Sequence, residues 1–189
     1  STREPQANYG CSPGQITQPW LREAVKWYLG TQLESGALRW TTVSQDRMNC
    51  LRRFDVWLTS CLDDPIEVLG DPAAAAGQAD RYRRWAMEPG HRKTGTFDRR
   101  TPPKPAHPRL INDDIRAVAD LFTFMVANRD RAHIVTGYAV WDRVTDTHVA
   151  GWFRQVSRIP RTPTLNDRHY VDDHALAQIP GALPLLGLP

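Results

Sequence analysis

The sequence is poor in the features that mark several large functional classes. Its 189 residues hold three cysteines, Cys11, Cys50 and Cys61, with no C-x-x-C pair, and an odd number argues against a disulfide framework. Cys50 and Cys61 fall on one expected helix about three turns apart, too far for a bond, and read as small core residues in a reducing cytosol. No apolar run approaches the ~18 residues that suggest a membrane span. No charged-then-apolar leader opens the chain. It starts at Ser1 without an initiator Met, and Ser1–Pro5 carries no fold signal, so a piece cut from a longer protein is expected. Sustained alternation of apolar and polar residues is missing, and with it the mark of half-buried strands; no internal repeat is present either. Phosphate-loop, G-x-G-x-x-G and G-x-S-x-G patterns are absent. A Ser-His-Asp or Cys-His enzyme would need such a positioned nucleophile, and Cys50 lies mid-helix near an apolar stripe, where a thiol is inert.

What is present is helical periodicity. Hydrophobic residues at 41% and charged ones at 24% are ordinary for a globular chain, long enough here for one domain with a core plus tails. Residues 1–16, with Pro5, Gly10, Pro13 and Gly14, read as a loose arm. Pro19 suits a first helical turn, and Trp20, Leu21, Ala24, Val25, Tyr28, Leu29 and Leu33 form a stripe ending at Gly36. Thr41 or Thr42 can cap a second helix, whose buried side runs through Val43, Arg47, Leu51, Phe54, Leu58 and Leu62, widened by Met48 and Trp57. Its opposite face carries Gln45, Asp46, Asn49, Arg52, Arg53 and Asp55. Asp63-Asp64-Pro65 stops it. Ala73–Ala76 favour a third helix reaching Trp85, with Tyr82 and Trp85 inward and Arg81, Arg83 and Arg84 outward. Asn112 can cap a fourth helix, with Asp113 and Asp114 at its positive end and a stripe of Ile115, Val118, Leu121, Phe122, Met125 and Val126. A short helix near His148–Val156, interrupted by Gly151, and a last one capped by Asp172 or Asp173 complete the pattern. The expected fold is all-α: a small orthogonal bundle of four to five helices with Leu51, Phe54, Leu58, Ile115, Val118 and Phe122 mutually buried.

Charge is concentrated rather than large. Between Asp80 and Arg109 nine positive side chains face three negative ones, a local excess of six in a chain of net charge +3, which leaves the remainder at −3. The excess straddles Pro89–Arg109, where Gly90, Gly95, Pro102, Pro103, Pro105 and Pro108 forbid regular structure. Loops of that length tend to be functional or disordered. Arg92, Lys93, Arg99, Arg100 and Lys104 belong to it. Such a run is either a solvated face or a track for a phosphate backbone, where each neutralised phosphate steepens the salt dependence of binding. His169, Asp172, Asp173 and His174 hold two imidazoles and two carboxylates. A zinc site needs three or four converging ligands, and helix capping by Asp172 or Asp173 is the simpler reading.

The order of these pieces resembles the N-terminal core-binding (SAM-like) domain of tyrosine recombinases, the phage-integrase family. It is carried by the first helix from Pro19, Gly36 with Thr41-Thr42, Phe54-x-x-Trp57-Leu58, and Arg109-Leu110-Ile111 with Arg116, Val118 and Phe122. The tail from Tyr170-Val171-Asp172-Asp173 to Leu185-Leu186-Gly187 looks like the segment that begins the catalytic domain of actinobacterial-type integrases. The resemblance divides the chain into an arm (1–16), a core-binding domain (17–158), and a linker with the first helix of a catalytic domain (159–189). It implies a clamp on duplex DNA, other recombinase protomers as partners in a synaptic complex, a cytoplasmic, nucleoid-associated location, and no metal or nucleotide cofactor. The family's catalytic Arg, Lys, His/Arg pair and nucleophilic Tyr would follow Pro189. Tyr170 precedes them and is no nucleophile, so this chain is expected to bind DNA and cleave nothing. The expected DNA face joins the cap of the second helix (Thr41, Thr42, Gln45) to the start of the fourth (Arg109, Asn112, Arg116) and to the basic loop, because helix N-termini and adjacent cations attract phosphate. The rival expectation is a helical protein–protein interaction module whose basic loop is incidental.

Overall fold

A computed structural model describes residues 12–91 and 107–156, with the side chains of Ser44 and Gln45 left aside. Six helices account for its architecture: α1 (Pro19–Glu34), α2 (Met48–Cys61), α3 (Ala75–Met87), α4 (Pro108–Ala127), α5 (Arg129–Thr136) and α6 (Asp146–Val156). Short helical turns occupy much of the chain between them, and no strand occurs among the described residues.

Pro19 opens α1, but Gln18 contributes no side-chain cap. The cap comes from a distant residue. Asp55, assigned by periodicity to the polar face of the second helix, is 1 % exposed. Its carboxylate accepts from the Thr17 amide (2.8 Å), the Thr17 hydroxyl (2.9 Å) and the Gln18 amide (3.0 Å). The residues that lead into α1, including the N-cap amide of Gln18, are thus held from α2. At the other end, Gly36 takes φ 71°, a left-handed turn that glycine accepts without steric cost.

The helix leading into α2 begins before the threonine pair. The Arg39 carbonyl already accepts from the Val43 amide (3.0 Å), and Thr41 has helical angles, so the expected Thr cap is not formed. Thr42–Arg47 is wound as a π-helix, with the Met48 amide bonded to the carbonyl of Val43. This wider winding places Val43 and Met48, five residues apart, together in the core. Arg47 is left beside Asp120 of α4, at 2.8 Å.

The core is aromatic. Phe54 sits among Trp57, Tyr82, Phe122 and Trp152, with ring centroids at 5.7, 5.8, 6.3 and 5.4 Å. Leu51, Phe54, Leu58, Ile115, Val118 and Phe122 are all fully buried, as the two stripes predict. Trp141 joins from the other side, its ring 5.3 Å from that of Trp20 and its indole N–H donating to the Trp20 carbonyl at 3.2 Å.

Three further expectations change. Ile16 is buried, so the loose arm does not extend to residue 16. Cys61 is exposed at the end of α2, whereas Cys50 is a core residue. Gly151 does not interrupt α6. A Cβ on it would lie 2.8 Å from both the Ala75 Cβ and the Ala76 amide nitrogen, so the missing side chain lets α6 lie against the start of α3. Gly151→Ala gains helix propensity but must push the two helices apart. We expect a net loss of about 1–3 kcal/mol by urea denaturation. An unchanged or raised midpoint would show that the approach is not tight.

Candidate nucleic-acid interface

The interface predicted from sequence centres on the start of α4. Pro108 fills its first turn, and the His107 ring nitrogen Nδ1 accepts from the Arg109 amide at 3.3 Å. The helix therefore begins four residues before Asn112, which is an interior residue and not the cap. Arg109 and Arg116 lie two turns apart on the same side of α4 and are both exposed. Asn112, between them, turns inward: its Oδ1 is enclosed and has no hydrogen-bond partner among the described residues. Asp114 is not a dipole-balancing surface acid. It is fully buried and receives a two-pronged ion pair from Arg53, through Nε at 2.9 Å and through Nη2. Burial opposes the charge on Arg53, but the hydrogen bonds and field of Asp114 outweigh it and raise its pKa above the ordinary guanidinium value.

The ion pairs settle how the expected site is distributed. Arg53 meets Asp114 and Arg47 meets Asp120, so α2 runs antiparallel to α4. Thr41 lies six residues beyond Arg47, and Arg109 eleven residues beyond Asp120 in the opposite direction, an axial separation on the order of 25 Å. The structure therefore does not bring the threonine end of the second helix to the start of the fourth. Thr41 and Thr42 lie instead near the C-terminal ends of α1 and α4. Gln45 has an undescribed side chain, and Arg92, Lys93, Arg99, Arg100 and Lys104 fall outside the described residues, as do Tyr170 and the His169–His174 cluster. Among the described residues no group of three or more His, Cys, Asp or Glu side chains converges, and no helix is long and apolar enough to cross a membrane.

Comparison of the chain with protein-family models, curated proteins and solved structures yields no match.

Partnering divides the basic side chains. Arg47, Arg53, Arg83 and Arg84 are each held by an aspartate, with Asp80 serving the last two at 2.6 and 3.1 Å. Arg109 and Arg116 make no ion pair among the described residues, so their charge is available to an outside anion. Both stand on the half of α4 nearest its positive dipole end. The loop with the largest excess of positive charge joins α3 to this same helix end.

One polar residue escaped the sequence reading. His148 is fully buried, and its Nδ1 accepts from the Thr145 amide at 3.1 Å, with the Thr145 hydroxyl also at 3.1 Å. The Thr145 carbonyl in turn accepts from the His148 amide at the start of α6, so the imidazole supplies one half of a capping box, the reach-back to the amide three residues earlier, in the usual place of Glu. Nδ1 must be unprotonated to accept. Burial accordingly lowers the His148 pKa, with Asp71 opposing. Below about pH 6.5 the unfolded chain takes up a proton that the folded chain refuses, so stability falls with pH from there down to the lowered native value. The expected contribution is a slope of up to about 1.4 kcal/mol per pH unit within that window. Urea midpoints at pH 7.5, 6 and 5 should show a steeper acid loss in the wild type than in His148→Asn; parallel curves would refute the assignment.

Proposed function

We propose that the chain is the DNA-binding, core-binding domain of a tyrosine recombinase, a SAM-like helical bundle forming half of a clamp on duplex DNA, with further recombinase protomers as partners in synapsis. The observation that carries the reading is the pair Arg109 and Arg116, exposed and without an acidic partner among the described residues, on the N-terminal half of the longest described helix, directly after the basic loop. The order of sequence motifs supplies the rest. On this reading the face is centred on α4 and the loop, without Thr41 and Thr42, and most contacts go to phosphates, so binding has little sequence preference. Strand cleavage through a 3′-phosphotyrosyl link belongs to a catalytic half that the resemblance places after residue 189.

Fluorescence anisotropy on duplex DNA across a salt series tests this. Affinity should fall steeply with salt. Arg109→Ala and Arg116→Ala should each weaken binding alike on all sequences and flatten the salt slope by about one unit. Thr41→Ala should leave both unchanged. If the arginine variants bind like wild type, the DNA face lies elsewhere. Absence of binding at low salt would favour the interaction-module reading, which has its own support in α5, where Ile134 is 81 % exposed beside a 45 % exposed Val135.

A further inference from the structure

The C-terminal half of α1 shares a half-open recess of about 390 Å³ with the end of α4 and the first turn of α5. Small-molecule sites span roughly 300–1,000 Å³, so this recess suits a small ligand. Trp27, Gly30 and Glu34 line it from α1, at the three- and four-residue spacing that puts them on one side of the helix. One wall is aromatic: the Trp27 ring meets the Phe124 ring nearly edge-on, with centroids 4.9 Å apart. Gly30 leaves bare backbone between Trp27 and Glu34, since a Cβ there would meet nothing within 4 Å. Asn128 is tied back to α4, its Nδ2 donating to the Phe124 carbonyl at 2.8 Å, which leaves Oδ1 as an acceptor. Arg131, in the first turn of α5, completes the lining. The charges differ in how they are used. Lys26, also at the recess, is held by Glu23 at 2.8 Å. Glu34 and Arg131 are both exposed, and neither forms an ion pair, with the other or elsewhere, among the described residues.

We propose that this recess binds a free α-amino acid with an aromatic side chain. A carboxylate and a guanidinium that line one recess without meeting each other offer separate anchors for two opposite ligand charges. The ligand's ammonium goes to Glu34, with Asn128 Oδ1 as a second acceptor. Its carboxylate goes to Arg131, whose planar fork holds a carboxylate through two N–H donors. Its ring lies over the bare backbone at Gly30, against Trp27. Other ligand classes use the lining less fully. The interior of a peptide carries neither charge, and each of its ends carries only one. A nucleotide or another simple anion brings nothing for Glu34 and is repelled by it. The recess stands at the end of α4 opposite Arg109 and Arg116, so the assignment is independent of DNA binding.

Isothermal titration calorimetry of the full chain with three probes tests this. L-phenylalanine carries both charges, its methyl ester only the ammonium, and N-acetyl-L-phenylalanine only the carboxylate. L-phenylalanine should bind saturably, and each masked analogue should bind about tenfold more weakly, the loss of one hydrogen-bonded charge. Arg131→Gln should weaken L-phenylalanine to the level of the ester while leaving the ester unchanged. Glu34→Gln should weaken it to the level of the N-acetyl compound. Gly30→Leu keeps folding out of the comparison. It gains helix propensity and meets no neighbour at its Cβ, so it should melt at or above the wild-type temperature. Its side chain leans back over the preceding turn, onto Trp27, and should abolish binding. Absence of saturable binding at millimolar L-phenylalanine would overturn the proposal. So would binding that ignores the masked charges, or that survives in Gly30→Leu.

Discussion

Phe54→Ala is expected to cost about 3–5 kcal/mol, at the upper part of the range for a buried phenylalanine. The reason lies in its neighbours. Trp57 is stacked on it at 5.7 Å, while Tyr82, Phe122 and Trp152 meet it edge-on from three other elements. Rigid rings held from different helices close poorly over a deleted side chain, so most of the cavity should persist. Four favourable ring–ring geometries are lost at the same time. The melting temperature should drop by roughly 10 °C. Phe54→Leu, which keeps most of the volume, should cost far less. Thermal unfolding followed by circular dichroism decides the matter: an unchanged transition in Phe54→Ala would mean that α2, α3, α4 and α6 do not share one core.

The second large effect concerns charge. Arg53→Met should cost about 3–5 kcal/mol because it leaves Asp114, with no side-chain exposure, without its guanidinium partner. The loss would come mainly from desolvation that is no longer compensated, not from the attraction removed. The double variant Arg53→Met/Asp114→Leu should therefore recover most of the stability, since a matched apolar pair carries no such penalty. A double-mutant cycle from urea unfolding measures this directly. Additive losses in the two single variants, with no recovery in the double, would show that the pair is not coupled. If the proposed DNA binding holds, the same variants should match the wild type in it when folded, because Arg53 is spent inside the bundle on Asp114.

That distinction between spent and available charge marks where sequence reasoning stopped. Periodicity recovers α1, the apolar side of α2, most of α3 and the stripe of α4, because burial of one face every 3.6 residues is a local property of the chain. It also identifies Arg109 and Arg116 as candidate cations. It could not tell Arg53 from Arg52, or Asp114 from Asp113. Adjacent residues on a helix differ by 100° of rotation, and only the position of the neighbouring helix says which one is covered. Asp55 was missed for the same reason: it holds the start of α1 through contacts that no spacing rule along its own helix contains. His148 was missed because imidazole is not the residue type that the capping rule looks for three residues after Thr145. Gly151 was legible as a glycine but not as a close approach, since Ala75 lies 76 residues away.

By itself, then, the sequence determined the helical class, the composition of the core and the placement of excess positive charge in one loop. Those depend on side-chain type and short-range spacing. Tertiary structure alone decided which charges are internal, where the Gln18 amide at the start of α1 finds its acceptor, and that the two halves of the expected DNA face stand at opposite ends. The antiparallel pairing of α2 with α4 is the cause of the last: it carries Thr41 away from Arg109 by the summed rise of both helices, a distance set by packing and invisible to any pattern within either one.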